Sequence, residues 1–350
     1  MPDYNRRMRR QNAPDGQNLP IRAYNSQQNK ITASGWVRVF KHLLRLFAAL
    51  LCLNIVSAGV MLAAGGLSAG EVLAFQRRGE RDYSRIYLYD LTHRRQTPLT
   101  PPDVSAFSPA WSPDGAYLAY LSRDNPLIVE DTIMTIGWTG RGITPLRDIF
   151  TLAVSSPALA WSPDGRQLAF TEVYPVGRFQ SVFVMDLDGG GLRRVSGDNG
   201  NAFAPTWSPD GSRIAYSWSP VANAEIWEQE IGSLLLTGQT GAPTRLTSDY
   251  RMDSHPAYSP DGSRIAFMSG RDNNSEIYLM NRDGSGLFNV TQHPALDSMP
   301  SWSSDGRWLA FTSNRDQGFD IYIIRADGSD LIRLTEGSAT ADYNPVWRPR

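Results

Sequence analysis

The sequence predicts an all-β fold, a six-bladed β-propeller of four-stranded antiparallel blades, preceded by one transmembrane α-helix. Three observations carry this. One tripeptide, Leu/Ile-Ala-Phe/Tyr, occurs six times, at Leu73, Leu118, Leu168, Ile214, Ile265 and Leu309. Five copies stand seven residues after an aromatic that opens a turn, at Trp111, Trp161, Trp207, Tyr258 and Trp302. The first copy has Gly66 where that aromatic belongs, while a sixth aromatic, Trp347, lies at the far end of the chain. Pairing the C-terminal strand with the first repeat completes the set and closes a ring.

Residues 1–45 carry nine Arg or Lys against Asp3 and Asp15, and their Asn, Gln and Pro content shows no apolar period. They read as a disordered basic cytoplasmic tail. Residues 46–67 follow as 22 consecutive uncharged positions. About 20 helical residues cross the hydrocarbon core, so this length suffices. The basic N-terminal flank then places the tail in the cytoplasm and residues 71–350 outside it. A signal anchor in the cytoplasmic membrane is the favoured reading, single-pass, with the propeller periplasmic or extracellular. A cleaved signal peptide is the alternative, and 22 residues exceed the usual apolar region of about 7–15. Cys52, the sole cysteine, lies inside this segment, so the exported part is held by packing alone.

Repeat five shows how a blade is built. His255-Pro256-Ala257-Tyr258 is an inner strand and Ser259-Pro260-Asp261-Gly262 a turn, with Pro presetting φ and Gly supplying freedom. Arg264–Met268 and Glu276–Met280 alternate as the next two strands, and Leu287–Thr291 ends the blade. The recurring aromatics are 50, 46, 51, 44 and 45 residues apart, the period of such a unit. A blade this thin cannot bury its own faces, so Trp111, Trp161, Trp207, Tyr258, Trp302 and Trp347 are expected as structural wedges between neighbours. Asp114, Asp164, Asp210, Asp261 and Asp305 recur at one turn position and are expected to cap it.

The pattern Trp-Ser-Pro-Asp-Gly, then Ile/Leu-Ala-Phe/Tyr, then Ile-Tyr and Asp-Gly, resembles the WD40-like repeats called PD40. These form the six-bladed propeller of the TolB family, the periplasmic component of the Tol–Pal envelope system. The resemblance covers about residues 71–350, with Tyr258 replacing Trp and Ser304 replacing Pro. In that family an α/β domain precedes the propeller, whereas here a tail and a hydrophobic segment do. The resemblance therefore implies a TolB-like propeller rather than a full TolB, with an envelope protein or peptide as partner.

Chemistry-bearing motifs are scarce. There is no phosphate-binding loop or paired-cysteine motif, and His93, His255 and His293 lack ligand spacing. Residues 71–350 are acidic, with 25 Arg against 33 Asp or Glu, which disfavours nucleic acid. Neither a nucleotide nor a resident metal or other cofactor is expected. One constellation recurs five and three residues before the aromatic: Asp253 with His255, Asp297 with Met299, Asp342 with Asn344. Ring symmetry gathers these six around one channel mouth, where partners dock in TolB-like propellers. They are expected to bind a basic or amide-rich peptide, or Ca²⁺; alternatively each Asp caps the turn before its Pro. No catalytic residue is assigned. An enzyme acting on glycan or peptide through the mouth carboxylates, and a sensory ectodomain of a signalling complex, are the competing functional classes.

Overall fold

A computed structural model describes residues 72–79, 83–124, 130–151, 158–173, 179–220, 223–232, 241–336 and 340–350. The expected tail, membrane segment and Cys52 lie outside the described residues. Among those described, no helix is long and apolar enough to cross a membrane.

Hydrogen bonding orders the strands into six four-stranded antiparallel sheets. Five sheets are meanders of consecutive strands. The sixth is made from both ends of the propeller: Ala341–Trp347 pairs with Val72–Arg78, which continues into Ser84–Asp90 and Arg95–Pro98. Leu73 faces Trp347 and Arg78 faces Ala341 across this ladder. Beyond the last pair, the Arg348 N–H donates to the Val72 carbonyl at 2.9 Å. The ring is closed by its own C-terminal strand, as the missing first aromatic predicts.

The core lies between blades rather than within them. Its buried side chains divide into six clusters, each drawn from two adjacent blades. The repeated tripeptide explains the division. Its strand is covered on both faces, and alternation sends Leu118 and Tyr120 to one junction and Ala119 to the other. The small Ala is the seat for the next blade's aromatic: Ala74 shares a cluster with Trp111, Ala169 with Trp207, Ala215 with Tyr258, and Ala266 with Trp302. Trp161 and Trp347, both partly buried, pack beside Ala119 and Ala310 in the same way.

The aromatics also bond across the junctions. The indole N–H of Trp111, Trp161, Trp207 and Trp302 donates to the carbonyl of Val346, Ala110, Ala160 and Ala257, at 3.0–3.3 Å. Each acceptor is the residue just before the preceding blade's aromatic. Tyr258 cannot reach that carbonyl and gives its hydroxyl to Glu228 instead.

The turns behave as capping units. Ser112, Ser162, Ser208, Ser259 and Ser303 each donate to the Asp two residues on, at 2.6 Å. The same carboxylates accept the N–H two residues further along. These bonds favour the charged form, holding Asp210 and Asp261 down at about 2. Gly262 takes φ +70°, and a Cβ there would sit 3.5 Å from Pro209 of the neighbouring turn.

The alanine seat can be tested directly. Ala266→Leu adds three carbons at a fully buried site facing Trp302. Urea unfolding is expected to show a loss of about 1–3 kcal/mol from overpacking; an unchanged midpoint would show that the junction has room to spare.

Candidate functional site

The six inner strands line the axis of the ring: Ala341–Trp347, Ser105–Trp111, Leu159–Trp161, Asn201–Trp207, Asp253–Tyr258 and Asp297–Trp302. Their inward edges have no strand partner, and five of them contain a Pro: Pro109, Pro205, Pro256, Pro300 and Pro345. Proline has no N–H for a ladder and is tolerated at such an edge or at a bulge. Both conditions hold here. Register shifts break the ladder across Ser108-Pro109, Ala204-Pro205, His255-Pro256, Met299-Pro300 and Asn344-Pro345.

The residue before each of these prolines sits in the left-handed region: Ser108, Ala204, His255, Met299 and Asn344, at φ 52–55°. For a side chain other than Gly this conformation costs about 1–2 kcal/mol. Repetition around the ring makes it a built feature of the channel wall. The displaced N–H groups are satisfied across the junction: His255 donates to Ser217 Oγ at 3.0 Å and Asn344 to Thr312 Oγ1 at 3.1 Å.

These bulges surround an axial cavity of about 440 Å³ to which all six blades contribute. His255, Met299 and Asn344 line it, so half of the predicted constellation does converge on one place. The His255 ring is steadied by an Nδ1 contact with Ser254 Oγ at 3.1 Å and by edge packing on Phe203 at 5.8 Å. Its Nε2 is buried and has no hydrogen-bond partner. Burial pushes His255 down to about 4, so it is neutral at pH 7.

The other half of the constellation must be corrected. Asp253, Asp297 and Asp342 are fully buried and form no open acidic ring. Each is clasped by an arginine: Asp253 by Arg271 at 2.9 Å, Asp297 by Arg315 at 2.8 Å, and Asp342 by Arg77 through two bonds of 2.7 Å. Those guanidiniums stack in turn on Phe267 and Tyr278, Phe311 and Tyr322, and Phe75 and Tyr87. The carboxylates are neither Ca²⁺ ligands at a mouth nor caps on a local turn. They are the anionic half of a repeated latch between carboxylate, guanidinium and two rings. No group of three or more His, Cys, Asp or Glu among the described residues is placed to hold a metal ion. The arginines went unnoticed in the sequence, although Ser-x-Arg-Asp at 269–272 and 313–316 was a legible signal.

Residues 71–234 and 234–350 match the family described as TolB beta propeller domain, PD40. The chain belongs to that family. A Tol-Pal system protein TolB from Anaeromyxobacter dehalogenans is 34% identical over 110 residues, 31% of this chain. An uncharacterised protein of Agrobacterium fabrum is 26% identical over 219 residues, 59% of this chain. The chain spans only 24% of the length of the first relative and 66% of the second. Among solved structures, TolB from Acinetobacter baumannii superposes with a TM-score of 0.68 at 20% identity. That match covers 82% of this chain and 69% of the other, and it speaks to the fold alone.

Two outcomes check the site geometry. Asp297→Asn leaves the Arg315 cation buried, its side chain 7% exposed, without a counter-charge. A loss of about 3–5 kcal/mol is expected in urea unfolding; a loss near zero would return Asp297 to the solvent-facing ring. His255 refuses below pH 6.5 a proton that the unfolded chain accepts, until about pH 4. Thermal stability should therefore fall as pH drops through that window, and His255→Gln should flatten the slope. A slope that His255→Gln leaves unchanged would put the titrating group elsewhere.

Proposed function

We propose that this protein is a non-enzymatic, membrane-anchored propeller outside the cytoplasm that binds an envelope protein or peptide at its axial cavity, in the manner of TolB. The observation that carries the reading is the cavity itself. It is formed by strained, repeated bulges and offers Met299, Asn344 and a neutral His255 to a visitor. Cavities of a few hundred Å³ with a largely apolar wall and a few polar groups suit a side chain or a loop tip. Membership of the TolB propeller family supports a protein partner. The uncharged segment 46–67 with its basic flank supports the anchor, with the tail in the cytoplasm. An acid–base pair built on Asp253, Asp297 and Asp342 is disfavoured, because each carboxylate is buried against an arginine.

Site-specific photo-crosslinking tests this reading in cells producing the full chain. A photoreactive residue replacing Met299 should capture an envelope protein, while one replacing the exposed Leu287, just before the outer strand Phe288–Asn289, should not. Capture of cytoplasmic proteins alone, or equal capture from both positions, would overturn it.

A further inference from the structure

Arg348 is a buried cation without a buried anion. It is 8% exposed, and none of the ion pairs formed by the described residues includes it. Its guanidinium lies over Trp138 at 4.2 Å and Trp111 at 5.7 Å, and its Nε donates to the Gly115 carbonyl at 2.9 Å. Its Nη1 is buried and has no hydrogen-bond partner among the described residues. The contrast with Arg77, Arg271 and Arg315, each closed on its own Asp, is sharp.

Arg348 lines the axial cavity, and two other lining residues carry the same deficit. Trp347 Nε1 is buried without an acceptor, whereas Trp111, Trp161, Trp207 and Trp302 all have one. His255 Nε2 is the third. Among the described residues, no Asp or Glu contributes to the cavity wall, and the charged ones that line it are Arg348 and Arg350. The nearby turn carboxylates are engaged by their own Ser hydroxyls and backbone N–H groups, as Asp114 is by Ser112 and Ala116. Burying an unpaired cation and unmet N–H donors is costly, and an incoming acceptor relieves both.

We propose that the cavity receives the carboxylate of an acidic residue carried on the partner's peptide. This rests on the reading that the cavity is the binding site, and it reverses the expectation of a basic peptide or a cation. A carboxylate offers about four acceptor positions, and Arg348 and Arg350 are the cations of this wall that it would meet. The specificity is then for a single Asp or Glu at a loop tip, flanked by small or apolar residues that the proline-lined wall accommodates.

The test uses the purified full-length protein in detergent and a random nine-residue peptide library. Selected peptides are expected to share one Asp or Glu. Replacing that residue by Asn or Gln, respectively, should weaken binding at least tenfold by calorimetry. Arg348→Gln should produce a comparable loss, partly restored by Arg348→Lys. Because Arg348 also holds Gly115, the peptide comparison on the unaltered protein decides the matter if the variant does not fold. Selected peptides that are basic or carry no acid, an acid whose replacement leaves affinity unchanged, or binding indifferent to a folded Arg348→Gln would each overturn the proposal. A partner captured through Met299 by a basic or uncharged segment would sink this inference while leaving the binding function intact.

Discussion

Hydrogen bonding between Ala341–Trp347 and Val72–Arg78 is the constraint on which the rest of the structure depends. No blade buries both of its faces alone, so each relies on two neighbours, and an open ring would leave two faces bare. The closure is reinforced at three levels. The backbone ladder joins the ends, the Trp111 indole reaches the Val346 carbonyl, and Arg77 grips Asp342 across a separation of 265 residues. These contacts repeat, between the propeller's two ends, bonds made elsewhere between consecutive strands of a blade and, for the indole, between consecutive blades.

The same closure builds the axial cavity. Trp347, Arg348 and Pro349 occupy the place of an aromatic-and-turn unit. Arg348 and Pro349 approach the Gly115 turn, with the Pro349 carbonyl 3.0 Å from where a Cβ on Gly115 would sit. Elsewhere this position is filled by the proline of a neighbouring turn, as Pro113 does for Gly165. Arg348 thus lies against Gly115, Trp111 and Trp138 of one neighbouring blade, and Trp347, whose indole lacks its acceptor, packs beside Ala310 of the other; both line the cavity. Departure from symmetry is what gives an otherwise uniform channel a chemical identity.

Much of the fold was readable because its signals are local and repeated. The Ser-Pro-Asp-Gly turn, the alternating strands and the tripeptide each lie within a few residues, and repetition separates them from chance. The site was readable only in part. His255, Met299 and Asn344 reach the cavity because each precedes a proline that forces a bulge on an inner strand. Asp253, Asp297 and Asp342 stand two positions earlier on the same strands, and there the chain is sandwiched between blades. Position along the strand was legible from spacing. Which way each side chain turns was not, since a bulge inverts the alternation that spacing assumes.

The sequence by itself determined the number of blades, the identity of the closing strand and the role of the turn aspartates, because each depends on short-range patterns that recur. Only the tertiary structure decided the fate of the charges. Arg271 and Asp253 are 18 residues apart and Arg77 and Asp342 are 265 apart, and their pairing depends on the register between the first two strands of a blade. Charge acts through distance and burial: strand register sets the first and the neighbouring blades set the second.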